Sequence, residues 1–311
     1  MPQKIIFATQ RYQYLKDRIL AISLPQWENG QLDIRDFPDG EHYHRILSNV
    51  RNREVVLLGG TIDDKETLEL YDLASGCIQM GATAISIVIP FFGYSTMERA
   101  VKYGEIVKAK TRAVLFSSLP QTAHGNQIVL IDLHVDGITH YFESGVRPVH
   151  IYAKTFVKEA AWELADGHPF VLASTDAGRA KWVESLANDL HVPAAFVFKR
   201  RLSGDETAIT AISADVKDKT VIIYDDMIRT GGSLIHAAEA YKEAGAAEIN
   251  VITTHGIFAG NGWQRIKNSG IIKKVICTDT HPNALRIQDE MLEVRSIDHL
   301  IIQFFEEQLF T

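Results

Sequence analysis

The run Val221-Ile222-Ile223-Tyr224-Asp225-Asp226-Met227-Ile228-Arg229-Thr230-Gly231-Gly232-Ser233 carries the densest chemistry in the sequence. An apolar strand ends in two carboxylates, and a tight loop with paired glycines then opens a helix at Ser233. Glycines let a backbone approach a phosphate closely, and a helix N-terminus offers free N–H groups and a partial positive charge. Thr230 and Ser233 add hydroxyl donors. Asp225 and Asp226 have the wrong sign for phosphate but suit sugar hydroxyls or Mg2+. The predicted ligand is therefore a phosphate group with sugar hydroxyls or Mg2+ beside it. A plain strand, acidic turn and Ser N-cap would use the same letters, but would not need two adjacent acids before a glycine pair.

Four further segments hold residues able to act on such a ligand. Ile131-Asp132-Leu133-His134 places an imidazole just past a strand, where a lone histidine is more often structural. Ser174-Thr175-Asp176-Ala177-Gly178 puts a carboxylate between a strand and a helix, a position that equally suits a helix cap. Phe198-Lys199-Arg200-Arg201 stacks three cations at a strand end, ahead of Ser203-Gly204-Asp205. Such a run usually marks a solvated face, but the small residues after it would let the segment close over a substrate. Phe37-Pro38-Asp39-Gly40-Glu41 is by itself only a turn.

The elements that must position these residues are short β-branched runs alternating with stretches of helical period, the pattern of βα units and a parallel sheet. The runs are 5–8, 55–58, 85–89 and 128–131, then 171–173, 195–198, 221–224, 249–253 and 275–278. Val183, Leu186, Ala187 and Leu190 fall at i, i+3, i+4 and i+7, as do Leu234, Ala237, Ala238 and Tyr241, so both stretches are predicted to cover a sheet. A length of 311 residues favours two domains at ~150 residues each. Glu143-Ser144-Gly145 and Pro148 interrupt the pattern, which predicts domains at 1–143 and 144–291, with 292–311 packing back on the first.

Composition removes several alternatives. Hydrophobic residues at 46% supply two ordinary cores, and a net charge of -7 argues against a surface for nucleic acid or anionic lipid. Cys77 and Cys277 are the only cysteines, too few for a disulfide framework or a thiolate metal cage. The N-terminus lacks the long apolar region of a signal peptide, and the longest mostly apolar stretch, 82–92, is too short to span a bilayer. A cytoplasmic protein with neither nucleic acid nor membrane as partner is expected.

The segment 221–233 resembles the phosphoribosyl-pyrophosphate loop of the type I phosphoribosyltransferase fold. The other segments, in order from Phe37 to Pro282, resemble the ribose-phosphate pyrophosphokinases. These include the Asp-Leu-His of Asp132–His134, the Phe-x-Asp-Gly-Glu of Phe37–Glu41, Thr254-His255-Gly256-Ile257-Phe258 and Thr278-Asp279-Thr280-His281-Pro282. The resemblance implies two tandem type I phosphoribosyltransferase-like α/β domains, each a mostly parallel sheet flanked by helices, with the sugar-phosphate loop in the second. It implies transfer of pyrophosphate from ATP or another nucleoside triphosphate to the C1 hydroxyl of ribose 5-phosphate, giving phosphoribosyl pyrophosphate (PRPP) and AMP.

The same resemblance implies roles. Lys199 and Arg201 would clamp the transferring phosphates, with His134 beside them as a catalytic residue. Asp225, Asp226, Thr230, Gly231, Gly232 and Ser233 would hold the ribose phosphate, and His134 and Asp176 would share Mg2+. Phe37, Asp39, Glu41 and Arg99 would line the nucleotide pocket, the first three reaching it from a neighbouring subunit of a homo-oligomer.

Two departures stand out. Class I members continue Phe-Gly-Tyr with Ala-Arg-Gln-Asp-Arg, whereas this chain has Ser95-Thr96-Met97-Glu98-Arg99. Arg229 also replaces a third Asp in the loop. Together with the segment 199–205 and Trp263-Gln264-Arg265, these resemble the plant-type class II enzymes, described as phosphate-independent and less selective for the triphosphate. Two other readings remain. A phosphoribosyltransferase consuming PRPP would share the loop, and a non-catalytic regulatory homologue would account for Thr96-Met97.

Overall fold

The computed structural model describes residues 4–22, 27–203 and 206–307, the side chains of 177 and 198–211 excepted. The chain forms two compact units, Met1–Tyr152 with Ile297–Thr311, and Ala153–Ser296. Among the described residues no helix is long and apolar enough to cross a membrane.

The first unit contains β1 (Lys4–Ala8), α1 (Gln13–Ala21), β2 (Trp27–Asn29), β3 (Leu32–Asp36), β4 (His42–Ile46), β5 (Glu54–Leu58), α2 (Asp64–Gln79), β6 (Ala84–Ile89), α3 (Lys108–Ser117), β7 (Asn126–Ile131) and β8 (Arg147–Ile151). Its sheet runs β2-β1-β5-β6-β7-β8, parallel throughout, while β3 and β4 form a separate antiparallel hairpin. Side chains alternate between the two faces. Ile5, Phe7, Val55 and Leu57 pack with α2 and α3. Ile6, Ala8, Val56 and Leu58 pack with α1 and the last helix, Asp298–Glu307, through Ile301, Ile302 and Phe305. A parallel sheet buried on both faces needs strands that are apolar at every position, which is why these runs read as continuous rather than alternating. Pro148 lies in the edge strand β8, where a missing N–H is tolerated.

The second unit contains α4 (Lys154–Ala165), β9 (Phe170–Ser174), α5 (Ala180–Leu190), β10 (Ala194–Ala195), β11 (Val197–Ser203), β12 (Glu206–Ile212), β13 (Thr220–Ile228), α6 (Gly232–Glu243), β14 (Glu248–Gly256), α7 (Gly262–Asn268), β15 (Lys274–Thr278) and β16 (Leu292–Arg295). Its sheet order, β10-β9-β13-β14-β15-β16, repeats that of the first unit position for position. The helix after β9, α5, lies on the face with α4, and the helix after β13, α6, lies on the other face with α7. The crevice at the carboxyl ends of β9 and β13 is therefore a topological switch point, where open α/β sheets bind ligands.

Both amphipathic stretches predicted from periodicity are helices whose named residues are buried. The run 195–198 is not one strand. It divides between the short parallel β10 and β11, which turns away to pair antiparallel with β12.

Candidate phosphate-binding site

The strand does not end at the acids. β13 stays paired with β14 as far as Ile228 with Gly256, so Asp225 and Asp226 lie within the ladder and the loop begins at Arg229. The helix begins one residue earlier than Ser233. Gly231 is its N-cap, left-handed at φ +77°, and no side chain caps the first turn. The first-turn N–H groups of α6 thus have neither an intrahelical partner nor a side-chain cap, the arrangement that favours an anion. Thr230 and Ser233 are exposed beside them.

Neighbouring backbone holds the loop. The N–H groups of Ile257 and Phe258 donate to the Ile228 carbonyl at 3.1 and 3.0 Å, and Ala259 N–H donates to the Arg229 carbonyl at 2.7 Å. A Cβ on Gly262 would stand 2.8 Å from the Arg229 carbonyl oxygen, and one on Gly231 would stand 2.7 Å from Ile266 Cγ1. Only glycines allow α7 to press this close.

The two acids have different partners. The Thr175 hydroxyl donates to Asp225 Oδ2 at 3.0 Å, whereas Arg179 Nη2 meets Asp226 Oδ2 at 2.6 Å. Burial, then the adjacent Asp226 charge, pushes the Asp225 carboxyl well above the usual carboxylate range, with Thr175 and Arg179 opposing. Arg179 was not singled out from the sequence. Its signal was a cation at a helix start, where the helix dipole disfavours it unless an acid waits nearby.

Asp176 follows β9 at the same crevice and its Oδ1 accepts from Gly178 N–H at 2.8 Å, as a turn-capping carboxylate does. Among the described residues no three of His, Cys, Asp or Glu gather into a metal cage. The carboxylate of Asp176 nevertheless suits Mg2+, which typically takes one or two carboxylates and completes its octahedron with phosphates and water. Lys199 and Arg201 lie in β11, opposite Ile209 and Thr207 of β12. Their side chains, and Gly204 and Asp205, lie outside the described residues.

The remaining predicted residues belong to the first unit. His134 is half-buried just after β7, in a segment held by His150, whose Nε2 accepts from Leu133 N–H at 2.8 Å. That leaves the neutral ring's proton on Nδ1, 3.4 Å from Asp136. Phe37, Asp39 and Glu41 sit exposed on the turn joining β3 to β4, closed by Phe37 N–H to the Glu41 carbonyl at 2.8 Å and Glu41 N–H to Asp39 Oδ1 at 3.1 Å. Arg99 is exposed, 3.3 Å from Glu98, and no hydrogen bond or ion pair among the described residues joins it to that turn. Thr96 and Met97 are exposed as well.

Thr254, His255, Thr278, Asp279, Thr280 and His281 are buried at the ends of β14 and β15. His255 Nδ1 lies 2.8 Å from Thr280 Oγ1, and the Thr280 hydroxyl donates to the Thr254 carbonyl at 2.9 Å. This network braces the strand ends beside the loop.

Two parallel sheets of one winding order, with a glycine-opened helix and an acid pair at a switch point of the second, define an α/β protein of two phosphoribosyltransferase-like units. Residues 4–119 match the N-terminal domain of ribose phosphate pyrophosphokinase, and residues 171–305 match the phosphoribosyl synthetase-associated domain. The chain is 30% identical over 283 residues to a ribose-phosphate pyrophosphokinase of Campylobacter jejuni subsp. jejuni, covering 90% of this chain and 87% of that protein. It is 31% identical over 278 residues to one from Clostridium perfringens, covering 88% and 84%. A crystal structure of phosphoribosylpyrophosphate synthetase from Mycobacterium smegmatis matches with a TM-score of 0.86 at 26% identity, covering 99% of each chain. This chain belongs to the ribose-phosphate pyrophosphokinase family.

Proposed function

We propose that the chain is a ribose-phosphate diphosphokinase, making PRPP and AMP from ribose 5-phosphate and ATP or another nucleoside triphosphate. The observation that carries this reading is the loop at Arg229–Ser233, an uncapped helix start behind a left-handed glycine with Asp225 just upstream, in a chain of this family. The C1 hydroxyl oxygen attacks the β-phosphorus of the triphosphate, the bond from that phosphorus to the oxygen bridging it to the α-phosphorus breaks, AMP leaves with that oxygen and the hydroxyl proton is released. Charge spreads over phosphate oxygens in such a transition state, so positioning and electrostatics carry the catalysis.

Within this reading the loop residues Thr230, Gly231, Gly232 and Ser233 hold the 5-phosphate, and Asp225 and Asp226 orient the ribose. Lys199 and Arg201 neutralise the transferring phosphates. His134 and Asp176 would hold Mg2+, which would supply charge neutralisation at the triphosphate. Phe37, Asp39, Glu41 and Arg99 bind the nucleotide, the exposed turn at Phe37–Glu41 serving a neighbouring copy in a cytoplasmic homo-oligomer.

We further place the chain nearest the plant-type class II enzymes, on Thr96-Met97, Arg229 and Trp263-Gln264-Arg265. The test is to mix the protein with ribose 5-phosphate, Mg2+ and each common triphosphate, following monophosphate and PRPP together. One-for-one formation supports the diphosphokinase, and turnover of several donors supports the class. Turnover of ATP alone sinks the class assignment, and no product with any donor sinks the activity.

A further inference from the structure

We propose that Arg265 is a specificity-determining residue that recognises the 5-phosphate of the pentose, an assignment resting on the activity proposed above. Arg265 projects from α7, whose start is pinned to the loop at Gly262 and Ile266 as described. Trp263, two residues earlier, packs edge-on against Phe258 and donates to Asp289 Oδ2 at 3.2 Å. The helix cannot drift relative to the loop without breaking these contacts.

The guanidinium lies along the loop. Its Nη1 is 3.4 Å from the Thr230 carbonyl oxygen, and its Nη2 is 3.8 Å from the point a Cβ on Gly232 would occupy. It therefore flanks the residues that lead into the uncapped turn of α6. Arg265 is exposed, and no carboxylate among the described residues lies within ion-pair distance of it, whereas Lys267 on the same helix is paired with Asp289 at 2.7 Å. A phosphate dianion at the start of α6 would meet backbone N–H groups and two hydroxyls, and Arg265 adds a full charge with a planar donor fork that matches phosphate oxygens. With the acids upstream in β13 and this cation downstream, only one orientation of a pentose 5-phosphate puts hydroxyls on carboxylates and phosphate on the guanidinium.

Calorimetry with ribose 5-phosphate and with ribose, together with steady-state kinetics, tests this on the full chain as wild type, Arg265→Ala, Arg265→Lys and Lys267→Ala. Arg265→Ala is expected to weaken ribose 5-phosphate binding by about 10- to 100-fold, the range for a lost charged hydrogen bond. It should raise KM while leaving kcat, ribose binding and the melting temperature of the ligand-free protein unchanged. Arg265→Lys should recover part of the affinity, and Lys267→Ala should match wild type. Wild-type affinity in Arg265→Ala, or equal losses for ribose 5-phosphate and ribose, would overturn the assignment. A wild-type chain that binds no ribose 5-phosphate would sink the activity itself, and the assignment with it.

Discussion

Arg179 Nη2 lies 2.6 Å from Asp226 Oδ2, with the Asp226 side chain 1% and the Arg179 side chain 15% exposed. The pair joins the start of α5 to β13, the two sides of the switch-point crevice. Asp226 meets the guanidinium, while Asp225 is half-buried and accepts from the Thr175 hydroxyl. Removing one partner of a buried ion pair strands the other charge, at a cost of about 3–5 kcal/mol. Arg179→Ala should therefore lower the urea unfolding free energy by that order. An Arg179→Met, Asp226→Leu double variant should lose less than either single one. Equal losses in single and double variants would show that the pair is not the cause.

Gly231 is expected to tolerate no side chain. Its φ of +77° strains any L-residue, and a Cβ would press on Ile266 Cγ1 at 2.7 Å. Strained backbone of this kind costs of order 1–3 kcal/mol. Gly231→Ala should lower the melting temperature and weaken ribose 5-phosphate binding together. Adding Ile266→Ala should relieve the contact without recovering binding, because the φ penalty and the distorted helix start remain. Full recovery would assign the whole effect to packing.

Glu66, in the first turn of α2, gives the first unit a pH-dependent stability. It is buried, accepts from the Thr9 hydroxyl and the Gly60 backbone, and has Arg11 Nε at 4.0 Å. Burial pushes its carboxyl up to about 7 from 4.5, with Glu69 adding to the rise and Thr9 and Arg11 opposing it. The folded state thus keeps a proton that the unfolded chain releases. The stability this lends is full below about pH 4.5 and is lost as pH rises through about 7, a swing on the order of 3 kcal/mol. Glu66→Gln should flatten the fall in stability between about pH 4.5 and about 7 and stabilise the protein at the alkaline end. Denaturant titrations at several pH values check it, and parallel slopes for variant and wild type would rule Glu66 out.

Lys199 is expected to act on the transition state more than on the ground state. Lys199→Ala should lower kcat by about 100- to 1,000-fold, the range for losing one group that stabilises developing charge, with a far smaller change in substrate Kd. Stopped assays of AMP release and calorimetry on the same preparation separate the two. Near-normal turnover would remove Lys199 from the mechanism.

The α/β class was legible because parallel strands covered on both faces must be apolar at every position, and such runs stand out in the letters themselves. The family was legible for a similar reason: a glycine pair, hydroxyls and acids at one strand end form a local pattern whose order along the chain survives without any contact being known. Helix α6 and its buried face followed from a period of 3.6.

Other features depended on which residues meet. The reach of β13 beyond Asp225 and Asp226 depends on β14 running alongside as far as Gly256, so no local signal could mark where the strand ends. The helix starts at Gly232 rather than Ser233, behind a left-handed Gly231 on which Ile266 of α7 closes. Arg179 finds Asp226, and Arg265 finds Thr230, only once the sheet has ordered its strands as β10-β9-β13-β14-β15-β16. The sequence by itself determined the residue types available at the loop and the parallel α/β class of the sheets around it. Which cation faces which acid or carbonyl was decided by tertiary packing, because ion pairs and close backbone contacts depend on distance in space, and spacing along the chain does not encode it.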